Sequence, residues 1–139
     1  MSDSDLAPRL LCCHKQGTSA RTRFVRWPHG MLAFAPPPAG ATLQKSAPAA
    51  RRHPAAALLD AAHRLGLPDD ALRAETEFAA TLETSEGEVP VVLACFATQD
   101  PPFAAVEKLG GRFIAITEAR DVGELELALL RRAYEILIG

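Results

Sequence analysis

The stretch that most constrains the fold of this chain runs from Glu88 to Glu118. It contains an apolar run, a proline pair, a short helical segment closed by a glycine pair, and a second apolar run that ends at Thr117. Apolar runs of this length between turn signals are typical of buried strands. The thirteen residues at 99–111 are just enough for a crossover between parallel strands. The stretch therefore predicts a β-α-β unit over 88–117 and leaves open whether its strands are neighbours.

Residues 73–84 alternate between two faces, which is the pattern of a strand paired with the first apolar run. Turn residues separate the two, so 73–84 and 88–98 form a predicted hairpin. With a four-residue loop, Thr84 pairs with Val89, and one face of the hairpin becomes wholly apolar. A slip of one residue would destroy that face, so the register is predicted together with the hairpin.

A long C-terminal helix is predicted over 121–138, and Asp121 and Glu124 form an acidic variant of a capping box at its start. Its apolar arc is wider than one sheet face needs and extends through Leu127 and Ile138. Either residues 1–35 cover the surplus apolar surface or a second subunit does, and we predict a homodimer, or a larger homo-oligomer, through this helix.

Glu126 falls inside the apolar arc of this helix. A buried carboxylate has to find a partner, and His63 or an arginine is a candidate. The alternative is that Glu126 stays in contact with solvent near the helix start, where the helix dipole favours an acid.

The rest of the chain predicts short strands and one more helix. Three β-rich runs lie at 9–13, 22–27 and 31–35, and the last two form a predicted hairpin. Pro54 opens a helix that Gly66 ends. A Pro/Ala-rich loop at about 36–53 is predicted to be mobile. We therefore expect one α+β domain over 1–139, with a mixed sheet of about four to six strands.

Composition places the chain among ordinary globular proteins, with 48% apolar residues and a net charge of −2. The charge is unevenly spread, at +6 over 1–56 and −8 over 57–139. Three cysteines without a disulfide spacing, together with an acidic N-terminal segment, predict a cytoplasmic protein. No apolar run is long enough for a membrane span.

No dinucleotide, phosphate-loop, zinc-protease, nucleophile-elbow or EF-hand motif is present, so no cofactor is predicted and enzymatic activity stays open. Cys12, Cys13 and His14 resemble metal ligands in type only. Adjacent strand residues point to opposite faces, so both cysteines cannot easily hold one ion, and no metal is predicted. Cys95 faces Phe78 in the predicted hairpin and is interpreted as a small buried hydrophobe.

The best candidate site lies where the two strands of the β-α-β unit end. If the strands are parallel neighbours, the residues that follow them meet at one edge of the sheet, where α/β proteins bind ligands. The candidate ligand-binding residues are Thr98, Asp100, Thr117, Glu118 and Arg120. Arg120 could hold a carboxylate or phosphate of a small anionic ligand, and Asp100 and Glu118 could bind hydroxyls or a hard cation.

A basic, partly aromatic cluster is the alternative site, for nucleic acid. It consists of Arg21, Arg23, Arg26, Trp27, Arg51 and Arg52. The overall pI of about 6.1 disfavours nucleic acid as a partner. The leading hypothesis is a non-enzymatic binding or accessory domain that acts as a homodimer. The alternatives are an enzyme of unassigned class that uses the strand-end residues, and a nucleic-acid-binding protein.

Overall fold

The computed structural model describes residues 7–15, 22–44 and 54–138. Within them a mixed seven-stranded sheet carries three α-helices, which confirms the predicted α+β fold and adds a strand to the expected four to six. The strands are β1 (Arg9–Lys15), β2 (Thr22–Arg26), β3 (Thr42–Leu43), β4 (Leu72–Ala74), β5 (Ala80–Thr84), β6 (Gly87–Phe96) and β7 (Arg112–Ile114). The helices are α1 (Ala55–Arg64), α2 (Phe103–Lys108) and α3 (Glu124–Ile138), with a 3-10 turn at Ile116–Glu118.

The strand order is β3-β5-β6-β1-β2-β7, and β4 also pairs with β6. Only β1 and β6 are parallel neighbours, and the other pairs are antiparallel. The predicted strand at 9–13 is therefore the centre of the sheet. Its residues 10–14 are all buried, and such an unbroken buried run is typical of a strand covered on both faces.

Helices cover both faces of the sheet, so two cores form. On one face α3 packs Leu129 and Ala133 against β1, β5 and β6. On the other face α1 contributes Ala61 and α2 contributes Val106. Alternation along β1 sends Cys13 into the α3 core and Cys12 into the core of α1 and α2.

The predicted hairpin is present, but its register is wrong by two residues. Leu82 pairs with Val89, because the turn holds only two residues and Thr84 pairs with Gly87. A shift of two keeps the same side chains on each face, so the apolar face survives. Residues 75–79 do not pair as a strand, which splits the predicted 73–84 strand into β4 and β5.

Because of the break at 75–79, the even-numbered residues of β4 and those of β5 point to opposite faces of the sheet. Five residues stand opposite only two residues of β6, between the Ala74–Ala94 and Ala80–Val91 pairs. Ala74 therefore shares a face with Ala94, whereas Ala80 lies in the α3 core with Val91. The sequence pattern had placed Ala74 and Ala80 on one face, and the unpaired loop removes that alternation.

The β-α-β unit consists of β6, α2 and β7, and its two strands do run in the same direction. They are not neighbours, because β1 and β2 lie between them. β7 is also a short strand at the end of the sheet order, whereas its sequence, Arg112–Thr117, reads as a central strand. The chain leaves the extended conformation after Ile114 and enters the 3-10 turn.

The long C-terminal helix begins at Glu124, three residues later than predicted. Its first turn is closed by the Leu127 N–H, which donates to the carbonyl of Gly123. Asp121 is not a cap, because its carboxylate pairs with Arg26. Most of the apolar arc is covered within the protomer, and Ile138, at 55% exposed, is its one large apolar side chain left open among the described residues.

α1 confirms the predicted helix between Pro54 and Gly66. It ends in a Schellman motif, in which the Gly66 N–H donates to His63 and the Leu67 N–H donates to Ala62. Gly66 takes the left-handed conformation that this motif needs, with φ of 70°.

The predicted loop at 36–53 is only partly described, because residues 45–53 lie outside the described ranges. Its Thr42–Leu43 segment forms β3, which pairs with β5 at the edge of the sheet. The predicted hairpin of 22–27 with 31–35 is replaced by a tight turn, in which Trp27 and Gly30 exchange backbone hydrogen bonds. Leu32 then pairs with Leu11 of β1 in an isolated bridge, while β2 pairs with β1 further along, at residues 13–15, and with β7 on its other side.

Candidate functional site

The predicted site residues fall into two groups, because two strands separate the ends of β6 and β7. Thr98 and Asp100 follow β6, while Thr117, Glu118 and Arg120 follow β7. Three strand spacings of about 4.8 Å place the two strand ends roughly 14 Å apart. The five residues follow strands that run in the same direction, but they do not converge on one point.

Thr98 and Asp100 are engaged in local structure. The Thr98 hydroxyl donates to the carbonyl of Asp100 at 2.6 Å and closes the turn after β6. The Thr98 carbonyl accepts a hydrogen bond from Nε2 of His14, at 2.9 Å. Since a carbonyl can only accept, Nε2 of this buried histidine must carry the proton. These contacts tie the end of β1 to the end of β6.

Thr117 and Glu118 line a cleft at the other group, where β2 begins and β7 ends. We call it the strand-end cleft, and its volume is about 430 Å³. The strand-end cleft opens at the ends of the strands, so side chains from both faces of the sheet line it, such as Phe113 from one face and Tyr134 from the other. The cleft is lined by Thr22, Arg23, Phe113, Ile114, Ala115, Ile116, Thr117, Glu118 and Tyr134.

Thr22 gives the strand-end cleft its most specific feature. The side-chain oxygen Oγ1 is buried and has no hydrogen-bond partner among the described residues, and the residue is only 8% exposed. A buried hydroxyl without a partner costs about 1–3 kcal/mol. Oγ1 is closed to solvent, so a ligand atom would have to displace part of the cleft lining to bond it and remove that cost.

Arg23 and Glu118 set the charge at the strand-end cleft. Arg23 is partly exposed, and its guanidinium carbon lies 5.9 Å from the centroid of the exposed Phe103 ring. Oε1 of Glu118 accepts a hydrogen bond from the Ala115 N–H at 2.8 Å, which holds the 3-10 turn. Glu118 therefore shapes the cleft wall, while Arg23 has no carboxylate partner among the described residues.

Arg120 lies beside this cleft but does not line it. With Thr117, Leu127 and Arg131 it lines a separate cleft of about 270 Å³ between the 3-10 turn and α3. Its Nε donates to the carbonyl of Thr117 at 3.3 Å. Thr117 is thus shared by the two clefts, and Arg120 and Glu118 face different ones.

A third cleft, of about 440 Å³, lies around the side chains of Trp27, His29, Phe34 and Arg64. Phe34 has a φ of 75°, a left-handed conformation that strains a residue with a Cβ. Arg9 holds it there by donating to the carbonyls of Ala33 and Pro36 on either side. The Phe34 ring packs between the Trp27 indole and the Arg64 guanidinium, at centroid distances of 5.1 and 5.0 Å. Phe34 therefore fills part of this cleft itself.

The described part of the predicted basic cluster is dispersed. Arg23 lines the strand-end cleft, whereas Arg26 makes a bidentate ion pair with Asp121, with one N–O distance of 2.9 Å. This hydrogen bond lowers the pKa of the Asp121 carboxyl below its ordinary value. Trp27 is 2% exposed and cannot stack on a base. Arg21, Arg51 and Arg52 lie outside the described residues.

Glu126 is buried, and its partner is a backbone amide that the sequence pattern did not indicate. Oε2 of Glu126 accepts a hydrogen bond from the Met31 N–H at 3.0 Å. The carboxylate lies against Gly30, where an added Cβ would stand 2.6 Å from Oε2. His63 does not take this role, because it pairs with Asp69 on the surface, and none of the described arginines makes an ion pair with Glu126. Glu126 thus anchors α3 to the turn after β2.

Cys13 and Cys95 form a close thiol pair that sequence reasoning missed. They are direct partners in the parallel β1–β6 register, and their sulfurs lie 3.1 Å apart. The hydrogen bond from Cys13 lowers the pKa of the half-buried Cys95, while this bond and burial raise the pKa of Cys13. The more exposed thiol is therefore the one of the pair that loses its proton at lower pH. Only the pairing of β1 with β6 could have revealed the pair, and no local pattern encodes it.

No protein-family model and no curated protein matches this sequence. Within the described residues, no helix has the length and apolar character needed to cross a bilayer.

Proposed function

We propose that this chain is a small-ligand-binding domain, and that the strand-end cleft binds a small anion that carries an apolar ring or chain. The observation that carries this proposal is Thr22, which lines the cleft and whose buried hydroxyl has no partner among the described residues. Sites for small molecules typically combine an apolar wall with a few converging polar groups.

The lining supports an anion of this kind. Arg23 supplies a positive charge without a carboxylate partner among the described residues. Phe113, Ile116 and Tyr134 supply the apolar and aromatic wall. A carboxylate or phosphate on Arg23 would form charge-assisted hydrogen bonds, which are stronger than bonds between neutral groups. Thr22 and Arg23 point to opposite faces of β2, so a second polar atom of the ligand meets the Thr22 hydroxyl only if the ligand extends around the strand end.

Phenyl phosphate is a suitable probe because it joins an anion to a ring, and benzylamine is its counterpart of opposite charge. Calorimetric titration should show binding of phenyl phosphate to the wild-type chain and none of benzylamine. Arg23→Gln should weaken phenyl phosphate binding roughly ten- to a hundredfold, the equivalent of a lost charged hydrogen bond. Arg73→Gln, on the exposed side of β4 and outside the cleft, is the matched control and should bind as the wild type does. Equal binding of the two probes would contradict the proposal.

The enzymatic alternative requires acids and an arginine to meet at the reacting atoms. Glu118 lines the strand-end cleft, Arg120 lines the neighbouring one, and Asp100 lines neither. This arrangement supplies no acid-base pair, so binding is the function that we propose.

A further inference from the structure

We infer that Cys13 and Cys95 are a thiol–disulfide exchange site, which forms a reversible cross-strand disulfide by reaction with a small external disulfide such as glutathione disulfide. The inference is independent of ligand binding at the strand-end cleft. It rests on the register of β1 and β6 and on the positions of the two sulfurs.

The backbone already holds the two residues at a distance that suits a disulfide. Cys13 and Cys95 are direct Cα partners on neighbouring parallel strands. Neighbouring strands lie about 4.8 Å apart, within the range of roughly 4.4–6.8 Å between Cα atoms of disulfide-bonded cysteines. Both side chains point into the α3 side of the sheet, and the sulfurs are 3.1 Å apart as free thiols. Only a small side-chain rotation is needed to form the bond.

The two thiols differ in access, which sets the order of the reaction. Cys95 is partly exposed, whereas Cys13 is fully buried at 0%. An external disulfide can therefore reach only Cys95 in the folded chain. The thiolate is the reactive form. The hydrogen bond from Cys13 lowers the pKa of Cys95 and Lys15 adds to this, whereas burial and Glu75 oppose it, and the net direction is down.

The exchange proceeds in two balanced steps. The Cys95 thiolate attacks one sulfur of glutathione disulfide, whose S–S bond breaks to give a mixed disulfide and one glutathione thiolate. The Cys13 sulfur then attacks the Cys95 sulfur, and the second glutathione leaves and takes up the proton that Cys13 gives up. The two protein thiols lose two electrons in total, and glutathione disulfide gains them as it becomes two thiols.

Cys12 is the natural control for this site. It precedes Cys13 on the same strand, but it points into the core of α1 and α2 and is fully buried. Burial raises its pKa to about 12, so it stays protonated. Cys12 therefore neither faces Cys95 nor can be reached by an external disulfide in the folded chain.

The test is oxidation of the folded full-length chain with glutathione disulfide, followed by denaturation, alkylation and mass measurement. Wild type and Cys12→Ala should each lose two alkylatable thiols and retain no glutathione. Cys13→Ala should keep glutathione on Cys95, because the thiol that releases it is gone. Cys95→Ala should acquire neither glutathione nor a disulfide.

Peptide mapping identifies which cysteine of β1 is joined to Cys95. Trypsin releases Cys12 and Cys13 together in residues 10–15, so the cross-linked peptide of the Cys12→Ala protein assigns the bond to Cys13. A wild-type chain that keeps three alkylatable thiols, or that retains glutathione, would overturn the inference. So would a disulfide that involves Cys12.

Discussion

At the scale of single residues, Glu126 joins the long helix to the turn after β2. Its carboxylate is only 7% exposed and accepts the N–H of the fully buried Met31. Glycine at position 30 leaves the space that the carboxylate occupies. The wide apolar arc of the helix therefore contains one acid with a defined structural role.

Glu126→Ala should lower the free energy of unfolding by about 1–3 kcal/mol, because it leaves the buried Met31 N–H without an acceptor. Glu126→Gln keeps an oxygen that can accept this bond and should lose less. Urea denaturation measures both. Glu124→Ala, an exposed acid on the same helix, is the control and should change stability by no more than about 0.5 kcal/mol. If Glu126→Ala also changed stability by no more than about 0.5 kcal/mol, the structural role of Glu126 would be contradicted.

Cys95 gives a second prediction, on pH. Its pKa is lowered from the ordinary value of 9.0, chiefly by the hydrogen bond from Cys13. A lowered pKa means that the thiolate persists to lower pH, so the rate of alkylation of Cys95 by iodoacetamide should reach half its maximum below pH 9.0. Cys13→Ala removes the main cause and should move this midpoint to higher pH, whereas Cys12→Ala should leave it unchanged. A wild-type midpoint at or above pH 9.0 would refute the prediction.

At the scale of elements, local patterns predicted which segments fold and long-range pairing decided how they meet. Pro54 and Gly66 bound a helix because proline and glycine act on the backbone beside them. The apolar alternation of 73–84 and 88–98 identified a hairpin. It could not reveal the loop at 75–79, because that break depends on how the segment pairs along β6.

The strand-end cleft, too, could be predicted from the sequence only in part, because it depends on how distant segments pair. Thr117 and Glu118 follow an apolar run, so sequence reasoning placed them at a strand end, where they do line a cleft. The approach of Thr22 and Arg23 depends on β2 pairing with β7, a contact between distant segments that no local pattern encodes. The insertion of β1 and β2 between β6 and β7 separates Thr98 and Asp100 from the rest for the same reason.

The end of α1 provides a prediction at this scale. Gly66 has a φ of 70° and open space around a built Cβ, so a substitution there meets backbone strain alone. Gly66→Ala should lower the free energy of unfolding by about 1–2 kcal/mol. Gly66→Asn should lose less, because asparagine adopts the left-handed conformation more readily. Thermal or urea unfolding measures the pair, and equal losses would show that strain at this position is not the cause.

At the scale of the whole molecule, the predicted homodimer stays a prediction. The apolar arc that suggested it is mostly covered within the protomer, which leaves the exposed Ile138 and the half-buried Leu127 as the surface that a partner would use. Light scattering should give about twice the 14.9 kDa chain mass for a dimer. Leu127→Asp or Ile138→Asp should then halve it. A wild-type mass near 14.9 kDa would contradict the dimer without affecting the strand-end cleft, which lies within one chain.

The proposed ligand site depends on the buried hydroxyl of Thr22. Thr22→Val replaces it with a methyl group of similar shape, which removes an unsatisfied polar group and should leave the stability of the free chain unchanged or raised. Thr22→Ser keeps the hydroxyl and should keep the affinity for phenyl phosphate.

The most direct measurement is a titration of the ¹⁵N-labelled chain with phenyl phosphate, followed by amide chemical shifts, for wild type, Thr22→Val and Thr22→Ser. We predict that the shifts cluster at residues 22–23 and 113–118, and that Thr22→Val weakens binding roughly two- to tenfold, as a lost neutral hydrogen bond would. Shifts centred elsewhere, such as around Trp27 and Phe34, or equal affinities for wild type and Thr22→Val, would contradict the claim.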